Sequence, residues 1–431
     1  MKILIVSTYF PPLNSIASLR PYSWAKWFSK AGHDVTVLTT EKRVEANSLK
    51  LDCTFFKVIE APLRIPFMKS WYNYKENITQ NIDVKNSIKY RLLLNLKAMY
   101  DKFSQSTGCF YTCRYPDWHD EWAGRAFKLV KDEAWDVVIS SGGPYSMHRV
   151  GLNLKKHRKA KKWVVDWRDL WTRNHNGLRI FHPIEKYLEN KFHANADLIT
   201  TVSEGLADTL RQMTPTRVEV IYNGYDPDDY KNIIKIPRKD NKRYEIVYTG
   251  TIYRGFQDPT PLFQAVGELV AEKKLRPNNL HITFAGPKSS DLSEMAKAYG
   301  INDYFTYAGF LPREEALALQ YNADACLFLE YSNPSVKGVL TGKLFEYLYT
   351  SNYILAIGVD ENSESGSLIK KTNSGICFGN DINKIKNYIL HRVENRNCNN
   401  IKKNFSIIEQ FERKRQAMKL LELIEESGQP E

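Results

Sequence analysis

Several things are scarce in this chain of 431 residues, and each scarcity closes off a class of function. There is no run of the roughly eighteen or more apolar residues that a bilayer-crossing helix requires. The opening Met1-Lys-Ile-Leu-Ile-Val-Ser7 is too short for a leader core with a small-residue cleavage site, and it runs into Pro11-Pro12, so it reads as a buried first strand. These two features predict a protein that works from the cytoplasm or from the inner face of a membrane. Cysteine is sparse, with six residues (Cys53, Cys109, Cys113, Cys326, Cys377 and Cys398). Cys109 and Cys113 have no second Cys or His pair at metal-binding spacing, so reduced thiols are expected and no metal centre. The Gly-x-Gly-x-x-Gly fingerprint of a dinucleotide loop is missing after the first strand, which argues against a nicotinamide oxidoreductase. No internal repeat is visible.

What is present begins with an uneven charge. The formal net charge is +12. Residues 1–217 carry 34 Lys and Arg against 21 Asp and Glu, whereas residues 218–431 carry 27 against 28. The excess lies wholly in the first half. A basic half suits an anionic lipid surface or a phosphorylated acceptor. It would also suit nucleic acid, but no nucleic-acid-binding motif accompanies it, and no such partner is expected. The run Lys155-Lys-His-Arg-Lys-Ala-Lys-Lys162 reads equally well as the solvated end of a helix or as part of a docking surface.

Hydrophobic periodicity predicts strands alternating with helices of ten or more residues, the pattern of crossover units and a mainly parallel sheet. Strands are expected at Ile3 to Ser7, Val35 to Thr39, Phe55 to Glu60, Val137 to Ser141, Trp163 to Asp166 and Val218 to Tyr222. After a polar linker, Asp226 to Arg243, the rhythm restarts with Tyr244 to Tyr248, Leu280 to Ala285, Phe305 to Ala308 and Ala325 to Leu329. The expected organisation is an α/β chain of two doubly wound domains facing a central cleft. One spans residues 1–225, the second 244–400, and a C-terminal helical segment, 401–431, packs back toward the first. Residues 61–118 interrupt the pattern as an insertion. It contains Arg64-Ile-Pro-Phe-Met-Lys-Ser-Trp-Tyr-Asn-Tyr-Lys75 and an amphipathic helix, Asn86 to Phe103, with Ile88, Leu92, Met99 and Phe103 on or near one side. Basic residues interleaved with aromatics suit a lipid interface, and an ordinary packed insertion explains them as well.

In doubly wound sheets ligands bind beyond the carboxyl ends of the strands, so chemistry is sought in the strand-end loops. The most informative segment is Gly338-Val-Leu-Thr-Gly-Lys-Leu-Phe-Glu-Tyr-Leu-Tyr349. Thr341 and Gly342 read as a helix start whose free N–H groups would attract a phosphate; Lys343 adds a positive charge, and Glu346, three residues on, adds a hydroxyl-binding carboxylate. The pairing suits a nucleotide diphosphate carrying a sugar. Tyr248-Thr-Gly-Thr-Ile-Tyr-Arg-Gly255 offers Gly250, Thr251 and Arg254 to a phosphate, while Gly286 and the backbone of Phe310 would let a base lie close to the chain. In the first half, the loop holding Asn14 and Ser15 leads into a helix with Arg20 in its first turn. Ser140-Ser-Gly-Gly-Pro-Tyr-Ser-Met-His148 puts His148 just inside another helix. Asp166-Trp-Arg-Asp-Leu-Trp171 gathers two carboxylates (Asp166, Asp169), the Arg168 guanidinium and the Trp171 face, the groups used to orient and stack sugars.

Together these pieces resemble a GT-B glycosyltransferase, most closely the retaining enzymes of family 4. The resemblance rests on Phe10-Pro-Pro12, the stretch ending at His148, Asp166 to Trp171, Val202-Ser-Glu204, Ile221 to Asp226, Tyr248 to Thr251, Ala308-Gly309 and Gly342 to Leu348, in that order. It implies a nucleotide-sugar donor, held by Gly250, Thr251, Arg254, Gly286, Phe310, Thr341, Gly342, Lys343, Leu344 and Glu346. It further implies a glycan or lipid-linked acceptor at Asn14, Ser15, Arg20, Asp166, Arg168 and Trp171, and no obligatory metal or other cofactor. Lys343 and Arg254 would stabilise the departing diphosphate, Glu346 would hold the donor ribose, and Asp169 or His148 would position the acceptor. Two departures stand out. Gly338 occupies the place of the first glutamate of the family's Glu-x7-Glu pattern, and Phe256-Gln-Asp-Pro-Thr260 lacks a further basic residue after Arg254. A sugar-nucleotide epimerase of the same architecture and an inactive nucleotide-sugar-binding protein are the alternative readings.

Overall fold

The computed structural model describes residues 1–42, 49–64, 88–110, 113–173, 179–236, 243–287, 290–332, 338–350, 352–395 and 402–426. The chain divides into two compact units: Met1–Val202 with Leu206–Ile221 and Leu420–Glu431, and Ser203–Gly205 with Tyr222–Lys419.

The first unit is built on a parallel sheet of β1 (Lys2–Val6), β2 (Asp34–Thr40), β3 (Lys57–Ala61), β4 (Trp135–Ser141), β5 (Ala160–Trp167), β6 (Leu198–Thr201) and β7 (Val218–Val220). Among the described residues its order is β3-β2-β1-β4-β5-β6-β7. Ile3 lies in register with Val35 on one side and Val137 on the other. Ile3, Leu4, Ile5 and Val6 are all 0% exposed. Such an unbroken apolar run is what a strand covered on both faces demands. The order reverses between β1 and β4, so the ligand crevice of this sheet lies beyond the ends of those strands. The covering helices include α1 (Ile16–Lys30), α3 (Trp118–Val130), α4 (Ser146–Lys156), α5 (His182–His193) and α6 (Glu204–Arg211), the last running across the boundary between the two units. α2 (Ile88–Thr107) belongs to the insertion.

The second unit repeats the scheme with β8 (Tyr244–Thr249), β9 (Leu280–Ala285), β10 (Phe305–Gly309), β11 (Ala325–Leu329), β12 (Tyr353–Ile357) and β13 (Gly375–Gly379). The order β10-β9-β8-β11-β12-β13 reverses between β8 and β11. Ala325, Leu327 and Leu329 pack on one face with Phe263 and Ile385. Cys326 and Phe328 face the other way, toward Leu344, Phe345 and Leu348. This period-two alternation explains why the segment after β11 returns as a helix over its own strand. The helices are α7 (Thr260–Ala271), α8 (Ser290–Ala298), α9 (Arg313–Asn322), α10 (Gly342–Tyr349), α11 (Glu364–Lys371), α12 (Ile382–Glu394), α13 (Phe405–Ile408) and α14 (Arg413–Glu426). Both units are thus doubly wound α/β folds with parallel sheets.

Within the basic run at 155–162, three lysines have partners among the described residues, while Lys156 and Arg158 are exposed. Lys155 pairs with Asp197 at 2.6 Å, Lys161 pairs with Asp136 at 2.7 Å, and Lys162 donates to the carbonyl of Ile424. Part of the run is the start of β5, whose neighbours supply acceptors. Residues 65–75 of the aromatic segment lie outside the described residues. No helix among the described residues is long and apolar enough to cross a membrane.

Candidate active site

In the first unit, the strand-end residues expected to meet an acceptor are mostly engaged with one another. Asp166, at the end of β5, is 0% exposed. Its carboxylate takes hydrogen bonds from Arg20 (Nη2, 2.7 Å), Ser141 (Oγ, 2.8 Å) and Thr200 (Oγ1, 2.8 Å). Burial alone would raise its pKa; the Arg20 charge and these hydrogen bonds reverse that and hold the carboxyl below its ordinary value. Arg20 is itself 5% exposed; its Nη1 donates to the carbonyl of Ile221 at 2.6 Å and its guanidinium covers the Trp24 ring. Trp171 is 4% exposed, stacks on Tyr145 at 4.0 Å, and donates to the Cys113 carbonyl. Contrary to expectation, Arg20, Asp166 and Trp171 form the inner frame of this unit and are closed to an acceptor.

His148 is also enclosed. The helical register of α4 turns it inward, where it is 0% exposed, bonded through Nδ1 to Ser140 Oγ at 2.8 Å and packed edge-on against Trp167. Burial pulls its pKa down to about 3, so it is a neutral ring, and Nε2 lacks a hydrogen-bond partner. Arg168 clamps the β4–α4 loop by donating to the carbonyls of Gly142 and Gly143 (2.8 and 3.3 Å) and lies over the Tyr9 ring. Ser15 caps α1 by accepting from Ala17 N. Asn14 is partly exposed, and Asp169 is exposed, with no hydrogen bond or ion pair to its carboxylate among the described residues. Asp169 is therefore the carboxylate of the Asp166–Trp171 motif without a bonded partner among the described residues, and desolvation of the carboxyl raises its pKa above the ordinary value against the pull of the Arg168 charge.

In the second unit the loops beyond β8 and β9, the start of α8 and Tyr307 of β10 surround a cavity of about 240 Å³. Gly250, Thr251 and Arg254 line it from the first loop, Gly286 from the second, and Tyr307 from the third strand. The second loop needs its glycine, because a Cβ at Gly286 would stand 2.2 Å from the Gly250 carbonyl oxygen. Arg254 reaches into solvent at 89% exposure and pairs with Asp291 at 3.4 Å. Phe310, just past β10, is 51% exposed.

α10 begins at Gly342 with Thr341 in the cap position. The Thr341 hydroxyl makes no capping bond, and its buried Oγ1 has no hydrogen-bond partner. Lys343 Nζ donates to Tyr248 OH at 2.6 Å and lies 4.0 Å above that ring. A Cβ on Gly250 would be 3.2 Å from the same nitrogen, which puts the amine beside the cavity. Burial pulls the Lys343 amine down to about 7, only partly offset by the Glu346 charge. Leu344 is 0% exposed, and its N–H already serves the Thr341 carbonyl at 3.1 Å. Glu346 does not share an open face with Lys343: it is 4% exposed, paired with Arg313 Nη1 at 3.0 Å and Gln320 Nε2 at 3.3 Å. Arg313 also binds Asp229, which Arg413 binds in turn. A ribose could reach Glu346 only by displacing one of these donors.

Gly338 has a physical reason. Its φ is +76°, and a Cβ there would stand 2.8 Å from both Glu364 Oε2 and Gly205 Cα. No glutamate fits at this position; the Glu364 carboxylate fills the space and accepts from the Glu204 and Gly205 N–H groups at 2.8 and 3.1 Å. Gln257, in the stretch that lacks a further basic residue, closes its loop instead, donating to the Leu329 carbonyl and accepting from Tyr253 N. Sequence reasoning missed Tyr248, Gln257, Arg313 and Lys403. Lys403 caps the far end of α10 by donating to the carbonyls of Tyr347, Leu348 and Thr350. Nothing in the local pattern marks these residues, because each acts through a partner distant in sequence. Among the described residues no group of three or more His, Cys, Asp or Glu could hold a metal ion.

Residues 107–229 match a family model described as Glycosyltransferase Family 4. Over 191 residues the chain is 26% identical to the 2-deoxystreptamine glucosyltransferase of Streptomyces kanamyceticus, a match that takes in 42% of this chain and 48%, about half, of that protein. Among solved structures it resembles the sucrose-phosphate synthase from Thermosynechococcus elongatus, with a TM-score of 0.58, 13% identity and coverage of 99% and 98% of the two chains. The lipopolysaccharide outer core galactosyltransferase WaaB gives a TM-score of 0.57 at 13% identity, over 99% of each chain. The trehalose 6-phosphate synthase from Burkholderia multivorans gives 0.59 at 10% identity, over 99% of this chain and 98% of its own. At such identities the likeness is one of fold.

Proposed function

We propose that this chain is a GT-B glycosyltransferase of family 4, a reading supported by its family match over residues 107–229 and by its fold, and that it moves a hexose or N-acetylhexosamine from a nucleotide-sugar donor to a glycan or lipid-linked acceptor. The proposal extends to a retaining, metal-independent reaction in cell-surface polysaccharide synthesis at a membrane surface. The observation that carries it is the cavity beyond β8 and β9 with the Lys343 amine at its edge and the start of α10 beside it. A diphosphate there would meet a protonated Lys343, Arg254 and free helix N–H groups, which together replace a metal ion in stabilising the leaving charge.

The acceptor oxygen forms the new bond to the anomeric carbon as the bond from that carbon to the diphosphate breaks. The acceptor's proton passes to a diphosphate oxygen, so glycoside and nucleoside diphosphate leave with atoms and charge balanced. The exposed carboxylate of Asp169 would orient the acceptor hydroxyl. The neutral, enclosed His148 would support the loop that carries it.

Calorimetric titration with UDP, GDP, ADP and dTDP tests the central claim, with Lys343→Ala as control. Binding of at least one nucleotide, weakened in the variant, is expected. Failure of all four to bind would sink the proposal. A donor sugar that changes configuration without release of nucleotide would favour the epimerase instead.

A further inference from the structure

The insertion helix α2 leaves part of its surface unexplained by the core. Its C-terminal half is tied down along one flank: Tyr100 OH donates to the Phe110 carbonyl and accepts from Trp118 Nε1 at 2.9 Å, and the buried Ser104 hydroxyl donates to the Cys109 carbonyl at 2.7 Å. Next to that flank runs an apolar stripe. Leu92 is 59% exposed, Leu96 43%, Met99 69% and Phe103 51%. At 100° per residue the four fall within a sector of about 60°, along roughly 16 Å of helix. Single exposed apolar residues are ordinary, but four aligned large ones mark a surface that something covers.

The charges decide what covers it. The helix sequence carries Lys89, Arg91, Lys97 and Lys102 against the single acid Asp101. Lys97 pairs with Asp101, and the ammonium of the exposed Lys102 makes no hydrogen bond or ion pair among the described residues. A second copy of the chain would bring like charges together across the contact. Four partly exposed side chains also fall short of the roughly 800 Å² per partner that a stable protein interface buries. An apolar stripe flanked by basic residues is instead the surface of a helix lying in the plane of a lipid interface, with lysines at the headgroups.

We propose that α2 is a membrane-docking helix that seats Leu92, Leu96, Met99 and Phe103 in the surface of an anionic bilayer. This deepens the reading of a lipid-linked acceptor and rests on it for its purpose, although vesicle binding itself requires no catalysis. The docking element is thereby placed in α2, whereas in the basic run at 155–162 Lys155, Lys161 and Lys162 are paired within the protein.

The test uses the full chain with phosphatidylcholine vesicles, with and without phosphatidylglycerol, and the variants Met99→Ser with Phe103→Ser, and Lys102→Glu. Binding to anionic vesicles is expected to fall at least about tenfold in the double variant, the change that losing one buried apolar side chain produces. Salt and Lys102→Glu should also weaken it. Hydrogen exchange on the unmodified protein supplies a readout that no substitution can confound: amides of residues 92–103 should gain protection with anionic vesicles. Equal binding by the double variant with its fold intact, equal binding to neutral vesicles, or unchanged exchange over 92–103 overturns the proposal. So does a concentration-dependent dimer lost in the double variant, which would assign the stripe to a second copy. Nucleotide titration of the same samples separates the two claims, since donor binding can persist when vesicle binding fails.

Discussion

The two sheets present similar strand-end chemistry and use it differently. Beyond β5, the first unit offers two carboxylates, a guanidinium and a tryptophan, and most are spent inward: Asp166 on Arg20, Arg168 on the carbonyls of Gly142 and Gly143, Trp171 on Tyr145. Beyond β8 and β9, the second unit leaves a cavity with Lys343 beside it and Arg254 in solvent. A charge at a strand end is therefore not a binding group until its neighbours are known. A buried charge must be paired, and once paired it is structural. Within the second unit the same rule removes Glu346 from the open surface, because Arg313 and Gln320 already hold it.

The largest expected effect probes the closed frame. Arg20→Met leaves the Asp166 carboxylate buried without its counter-ion and should cost about 3–5 kcal/mol of stability in chemical denaturation. A loss below about 1 kcal/mol would mean that the frame is open to water, and the contrast between the units would dissolve. Next comes Lys343→Ala, which should lower kcat/KM at least about 100-fold, as does removal of a group that stabilises leaving charge. Circular dichroism should show the fold retained; unaltered kinetics would break the comparison from the other side.

The third effect is a pH dependence. The free amine of Lys343 sits at about 7, so it is charged below that pH and neutral above it. A bound diphosphate favours the charged form. Donor affinity should therefore fall as pH rises from 7 to 9, by up to about tenfold per unit. Nucleoside diphosphate titrations across that range should show the slope in the native protein and a flatter one in Lys343→Met. The smallest effect sharpens the first unit alone. Asp169→Asn should lower stability by no more than about 0.5 kcal/mol, since the carboxylate has no hydrogen bond or ion pair among the described residues and desolvation already disfavours its charge, and should lower kcat about tenfold. A large stability loss would show Asp169 to belong to the frame.

Much of the fold was legible because parallel strands covered on both faces must be apolar throughout, as Ile3 to Val6 and Ala325 to Leu329 are. The start of α10 was legible from Thr341-Gly342, and the glycines of the second unit's loops from the strands they follow. In the second unit α8, β13, α11 and α12 were missed, whereas a helical segment over 401–431 was expected. β13 is a five-residue strand with glycine at each end, and α11 is a helix of only eight residues. Site partners were illegible for a different reason. Arg20 and Asp166 are 146 residues apart, Arg313 and Glu346 are 33 apart, and Lys403 lies 55 residues beyond Leu348. Periodicity carries no information over such separations.

By itself the sequence determined two wound α/β halves, the strand-end loops where ligands meet such sheets, and an excess of positive charge in the first half. These follow from local period, local turn chemistry and composition, which act over a few residues. Only the tertiary structure decided which charges are consumed and which remain available. It turned His148, Asp166, Arg20 and Trp171 inward, bound Glu346 to Arg313, excluded any side chain at Gly338, and left Lys343, Asp169 and the stripe on α2 at the surface or beside a cavity. The physical reason is that a charged group's role depends on its solvation and its partners, and in this chain most of those partners come from elements far away in sequence.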